Sequence, residues 1–140
     1  GELVDVKGTP MDFSEPKALS AEIDADYEPL RFGSGYDQSW AIDGYEKGKL
    51  SEAGVLYDPQ SGRRMRIRTT QPSKHNSAGN YLEGCQQSIS GHPYGRQAGV
   101  AIECQAYPNS PNCPGFPSTV LRPGEIYNEK IVFRFETDAN

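Results

Sequence analysis

From Arg63 to Thr70 the chain alternates with a strict period of two: Met65, Ile67 and Thr69 are interleaved with Arg64, Arg66 and Arg68. That period sends successive side chains to opposite faces and fits a strand, not a helix with its period of 3.6. Asp58-Pro-Gln-Ser-Gly62 has the composition of a turn, and Ala53–Tyr57 ahead of it is a second short run. A β-hairpin is therefore expected across residues 53–70. Its arginine row reads as the solvated face of a sheet, with an anion site as the alternative. The other apolar runs are equally short. With 15 Gly, 11 Pro and 35% hydrophobic residues in 140, they point to one all-β domain rather than a helical one.

Further elements follow from local pattern. Leu3–Phe13 reads as a short strand with a turn at Gly8-Thr9-Pro10, and Pro16–Tyr27 as the one plausible helix. Gly33–Trp40 is a glycine loop entering a strand at Trp40–Ile42, while Ser73–Gly79 reads as a polar loop. Pro123-Gly124 suits a type II turn before a last strand, Tyr127–Phe135, in which Ile131, Phe133 and Phe135 share one face. The run from Tyr107 to Thr119 holds four prolines and should form a stiff irregular loop.

Gly95–Gln105 carries the chemistry. Val100, Ile102 and Cys104 alternate with Ala101, Glu103 and Gln105, which sets a carboxylate beside an amide on one strand face. A strand-borne, partly desolvated glutamate, with its direction fixed, is suited to act as a general base. An exposed outer-face glutamate is the plainer alternative. Asp37 follows Gly35 closely, where a carboxylate can accept hydrogen bonds from paired hydroxyls while Tyr36 or Trp40 offers a flat wall to a sugar ring. A turn cap is the alternative there.

A formal charge of −5 argues against nucleic acid as a partner, and no apolar run approaches membrane-spanning length. Cys85, Cys104 and Cys113 have neither metal-finger nor disulfide-framework spacing. Reduced thiols in a cytoplasmic setting are expected, with one bridge left open.

The order of motifs resembles the aldose 1-epimerase (galactose mutarotase) family. The matching stretches are Val6-Lys-Gly-Thr-Pro-Met-Asp-Phe13, Gly35-Tyr-Asp37, Asp58-Pro-Gln-Ser-Gly-Arg63, Thr69-Thr-Gln-Pro72, Gly79-Asn-Tyr-Leu82, Glu103-Cys-Gln105, Pro108-Asn-Ser-Pro-Asn112 and Phe116-Pro-Ser-Thr119 through Leu121-Arg-Pro-Gly-Glu125. The likeness covers the C-terminal portion of that family's large β-sandwich. It implies interconversion of α and β anomers of a free aldose of the galactose or glucose class. Glu103 matches the family's base and Asp37 its substrate-binding aspartate; His75 stands where the family has a sugar-contacting glutamine, and Gln105 is a further substrate contact. No cofactor and no metal are implied, because ring opening and closure need only two proton transfers. The family's proton-donating histidine lies upstream of the matching stretch, and neither His75 nor His92 matches it. The resemblance therefore implies a missing N-terminal portion as partner, or self-association in its place.

The chain departs from the family where Gln38 and Ser39 replace His and Asn, where Pro72–Asn80 lacks the usual Phe-Tyr pair, and where Cys104 replaces Thr. A non-catalytic carbohydrate-binding β-sandwich and a purely structural β-domain remain as other readings.

Overall fold

The hairpin forms as its turn chemistry requires. In the computed structural model, which describes residues 1–84, 89 and 91–138, the Asp58 carboxylate accepts from the Gln60 amide at 3.1 Å and the Ser61 hydroxyl at 2.5 Å. This self-bonded loop joins two strands of an antiparallel sheet. Numbered in chain order, the strands are β1 (Asp37–Ala41), β2 (Ser51–Asp58), β3 (Arg63–Thr69), β4 (Ser73–Ser77), β5 (Ala101–Gln105) and β6 (Ile131–Thr137). They form two three-stranded sheets, ordered β2-β3-β6 and β1-β4-β5. The fold is all-β as expected, with one short helix, α1 (Glu28–Gly33), and two 3₁₀ turns among the described residues.

Two compact units are distinguished, one of residues 39–74 with those from 103 onward, the other of residues 2–38 with 75–102. In the first, β3 pairs antiparallel with β2 and β6, matching Leu56 to Met65 to Phe135 and Gly54 to Ile67 to Phe133. The other face carries the arginines. Arg66 pairs with Glu136 at 3.1 Å, Arg134 with Glu136 at 3.0 Å and Arg64 with Asp138 at 3.3 Å, so the row is a solvated ion-pair face. Such exposed pairs contribute little, about 0–1 kcal/mol each. At the end of β3 Thr69 donates its hydroxyl to the Lys130 carbonyl at 3.0 Å, and just past it the Gln71 side chain donates to the Tyr127 hydroxyl at 2.7 Å. Thr69, Thr70 and Gln71 are buried, and these bonds, with that of the Thr70 hydroxyl to the Glu129 carboxylate, pair their side chains. Pro123-Gly124 makes the expected type II turn, with Gly124 at φ 87° and the Glu125 amide bonded to the Arg122 carbonyl at 3.0 Å. The proline run from Tyr107 stays irregular and closes on itself, its Tyr107 and Phe116 rings 4.9 Å apart.

Several elements differ from expectation. Leu3–Phe13 is no strand: the turn at Gly8-Thr9-Pro10 is present, but its bonds are local, Thr9 to Val6 and Asp12 to Thr9. The helix lies at Glu28–Gly33, not at Pro16–Tyr27, where only the 3₁₀ turn Leu19–Ala21 forms. Ser20, Asp24 and Asp26 favour turns over helix interior, whereas Pro29 falls in a first helical turn, where its missing N–H costs nothing. Ser73–Ser77 is a strand despite its polarity, because neighbouring strands supply its backbone partners. The expected core face of the last strand is open: Phe133 is 44% exposed and Phe135 76%, while Ile67 beside Phe133 is 1% exposed.

Candidate functional site

Asp37 opens β1 at the end of a loop that is held in several places. The buried Asn80 side chain donates to the Gly33 carbonyl at 2.8 Å and to the Tyr36 carbonyl at 3.0 Å. The Tyr36 carbonyl also accepts from the Ala78 amide at 2.9 Å. Gly35 adopts φ 129°, and a Cβ there would lie 2.5 Å from Asn80 Oδ1, so this close approach requires glycine. Gln38 completes the frame, donating to the Pro29 carbonyl at 2.7 Å and accepting from the Asp37 amide at 2.8 Å. Gln38, a departure from the family pattern, is thus a structural brace.

Asp37 Oδ1 lies 3.1 Å from His75 Nε2 on the adjacent strand β4. Both side chains are half-buried, 32% and 22% exposed respectively, so a ligand can still reach them. The structure therefore brings together two of the four residues singled out from sequence. A carboxylate bonded to one imidazole nitrogen keeps its other lone pairs as acceptors, which suits it to adjacent hydroxyl groups.

The aromatic wall is not built as expected. Tyr36 is buried, donates its hydroxyl to the Pro10 carbonyl at 2.9 Å and packs edge-on against Phe13, ring centroids 5.1 Å apart. It is core. Trp40 is half-buried on β1, and strand alternation places it on the face opposite Asp37.

Glu103 and Gln105 belong to the other unit, both on β5. Alternation there holds for Ile102, half-buried, and Cys104, buried, whereas Val100 precedes the strand and is exposed. Glu103 is exposed, not partly desolvated, because it shares the solvent side of β5 with Ala101. Gln105 is half-buried, and its carbonyl accepts from the Ser73 hydroxyl at 2.8 Å. Cys104 behaves as the expected small core residue: burial pushes its thiol pKa up, a rise that a Thr69 hydrogen bond and the Lys74 charge offset in part. Lys74, largely covered, has its ammonium pKa drawn down by that desolvation. Cys104 and Cys113 are free thiols, and Cys85 lies outside the described residues. His92 is an exposed loop residue. Among the described residues no His, Cys, Asp and Glu cluster is arranged to hold a metal ion, and no helix is long and apolar enough to cross a membrane.

In the sequence Asn80 stands out only as part of a family-matching stretch, and Gln38 only as a departure from the family pattern. An asparagine directly after a glycine, in a chain with a glycine-bounded aspartate elsewhere, was the available signal for the first. Nothing local marked the second.

An antiparallel all-β fold with a carboxylate and an imidazole paired on neighbouring strands is the frame into which the comparisons fall. The aldose 1-epimerase family model matches residues 1–134, and the chain belongs to that family. It is 30% identical over 135 residues to the galactose mutarotase of Bos taurus, covering 96% of this chain and 37% of that protein. Against the aldose 1-epimerase of Escherichia coli K12 the identity is 33% over 135 residues, covering 95% and 38%. A solved structure, the GalM/aldose epimerase homologue from C. elegans, superposes with a TM-score of 0.77 at 27% identity, over 94% of this chain and 38% of that one. The chain thus spans about 37% of the length of the curated relatives it matches.

Proposed function

We propose that this chain forms the base-bearing portion of an aldose 1-epimerase, which interconverts the α and β anomers of a free aldose of the galactose or glucose class. The observation that carries the reading is the Asp37–His75 pair, 3.1 Å apart, at positions where family resemblance assigns sugar contacts. In this proposal Glu103 takes the proton from the C1 hydroxyl while an acid protonates the ring oxygen, and the ring opens to the aldehyde. Rotation about C1–C2 and closure with the protons returned gives the other anomer. Asp37, His75 and Gln105 hold hydroxyl groups and orient the ring. The acid comes from the family length that this chain does not span, because neither His75 nor His92 matches its motif. The covering of Glu103 that a general base needs would come from the same portion.

Exchange spectroscopy by NMR on α and β galactose and glucose tests this, with the protein at the relatives' full length. Exchange faster than in buffer supports the proposal; exchange at the buffer rate refutes it. The exposure of Glu103 favours one other reading, a non-catalytic sugar-binding module, which would bind the sugar without speeding exchange.

A further inference from the structure

We infer that Asn80 is a positioning residue for Asp37, setting the aspartate's direction through the backbone that precedes it; the inference rests on the functional reading above. Asn80 is 4% exposed, and its side-chain nitrogen and oxygen both take part in hydrogen bonds. Its side-chain amide donates to the Gly33 and Tyr36 carbonyls, both in the loop that delivers Asp37, at 2.8 and 3.0 Å. Its Oδ1 accepts from the Gln97 side chain at 3.4 Å, which fixes which way the amide is turned. The Tyr36 carbonyl belongs to the peptide whose nitrogen is that of Asp37. Holding this carbonyl from the Asn80 side chain and the Ala78 amide sets the plane of that peptide, and with it the direction in which Asp37 leaves the backbone.

The geometry also explains why the loop can be held so closely. Gly35 leaves open the space that Asn80 Oδ1 occupies, and no side chain would fit there. Asn80 and Gly35 are therefore one device made from two distant motifs. In the functional reading Asn80 does not touch the sugar. Its influence reaches the site only through the position of Asp37. An active-site group held even 1 Å out of place loses much of its effect on a bound ligand.

The test is a double-mutant cycle at the relatives' full length, with KM, kcat and thermal midpoint measured for each variant. Asn80→Asp keeps the shape while removing both donors, and Asn80→Ala removes the side chain. Each is expected to raise KM about tenfold, with kcat within about twofold of wild type. In the Asp37→Ala background the same changes should raise KM by less than about twofold, although any loss of thermal stability persists. A purely structural asparagine would give the same KM change in both backgrounds, or none in either, and either result would overturn the inference. If Asn80→Ala does not fold, Asn80→Asp and Gly35→Ala decide the matter in the same cycle. A wild-type protein without turnover would overturn the functional reading itself, and a working wild type with additive variants overturns this inference alone.

Discussion

His75 Nε2 and Asp37 Oδ1 lie 3.1 Å apart, although the residues are 38 apart in sequence. The pair depends on two strands that sequence pattern alone did not fully reveal: β1 begins three residues earlier than its apolar run, and β4 is polar throughout. In the proposed function the pair is a sugar contact in which one member orients the other. An imidazole at this position departs from the family's glutamine, and its ring nitrogen bonds the Asp37 carboxylate.

The pair should act together on binding. Asp37→Ala is expected to raise KM, with a smaller fall in kcat if the sugar is misplaced. His75→Ala should raise KM about tenfold, the worth of one hydrogen bond to a charged group, while His75→Gln restores most of the affinity. Steady-state kinetics with the three variants would check this. Unchanged affinity in Asp37→Ala would reduce that residue to a loop terminus.

Glu103→Gln keeps size and hydrogen bonding but removes the basic group. At the relatives' full length it is expected to slow anomer exchange about 10²–10⁴-fold without altering the circular dichroism spectrum. A folded Glu103→Gln protein with near wild-type exchange would remove Glu103 from the mechanism.

The loop at Gly8–Ser14 should respond to acid only at very low pH. The Asp12 carboxyl pKa is lowered from 3.8 to about 2, chiefly by hydrogen bonds from the Ser14 hydroxyl and amide and then from the Gly8 amide. Because the folded value lies below the unfolded one, the stabilisation is fully present above about pH 3.8 and is lost as pH falls through about 2. An NMR titration of the Asp12 carboxyl carbon should show its midpoint well below 3.8. A midpoint at the ordinary value would mean that these bonds do not persist in solution, and Ser14→Ala should shift the midpoint upward.

The open face of β6 predicts behaviour of the isolated 140-residue chain. Ile131, Phe133 and Phe135 share one face of a strand that ends its sheet, and all three are exposed. Exposed apolar faces and open edges promote association. The chain expressed alone is expected to elute above monomer mass in size exclusion and to show no anomer exchange. Phe133→Lys with Phe135→Lys should shift the elution toward monomer. A stable monomer of the unaltered chain that interconverts anomers would contradict this and would point to His75 as an acid.

The all-β class, the 53–70 hairpin and the type II turn were legible because each rests on neighbouring residues: period-two alternation, aspartate and glycine in turns, proline ahead of glycine. The arginine row was legible as a face for the same reason, whereas its partners Glu136 and Asp138 come from the end of β6 and just past it, about 70 residues further on. Pro16–Tyr27 misled because alanines and leucine suggest helix, while Asp24 and Asp26 compete for the backbone and the proline that starts the helix lies further on. Tyr36 misled because a tyrosine beside an aspartate can equally face a ligand or the interior, and the Pro10 carbonyl that takes its hydroxyl is 26 residues away.

What the sequence by itself determined was the kind of element at most positions and the identity of the candidate base and sugar-binding groups, because strand period, turn chemistry and motif order are local properties of the chain. Tertiary structure alone decided that Asp37 meets His75, that Asn80 and Gly35 form one clamp, that Tyr36 turns inward and that Glu103 stands in solvent. Each of these depends on which strand lies beside which, and on the space left between groups far apart in the chain. Such contacts form only when burial and hydrogen bonding offset the entropy of bringing distant segments together, and no local pattern records that balance.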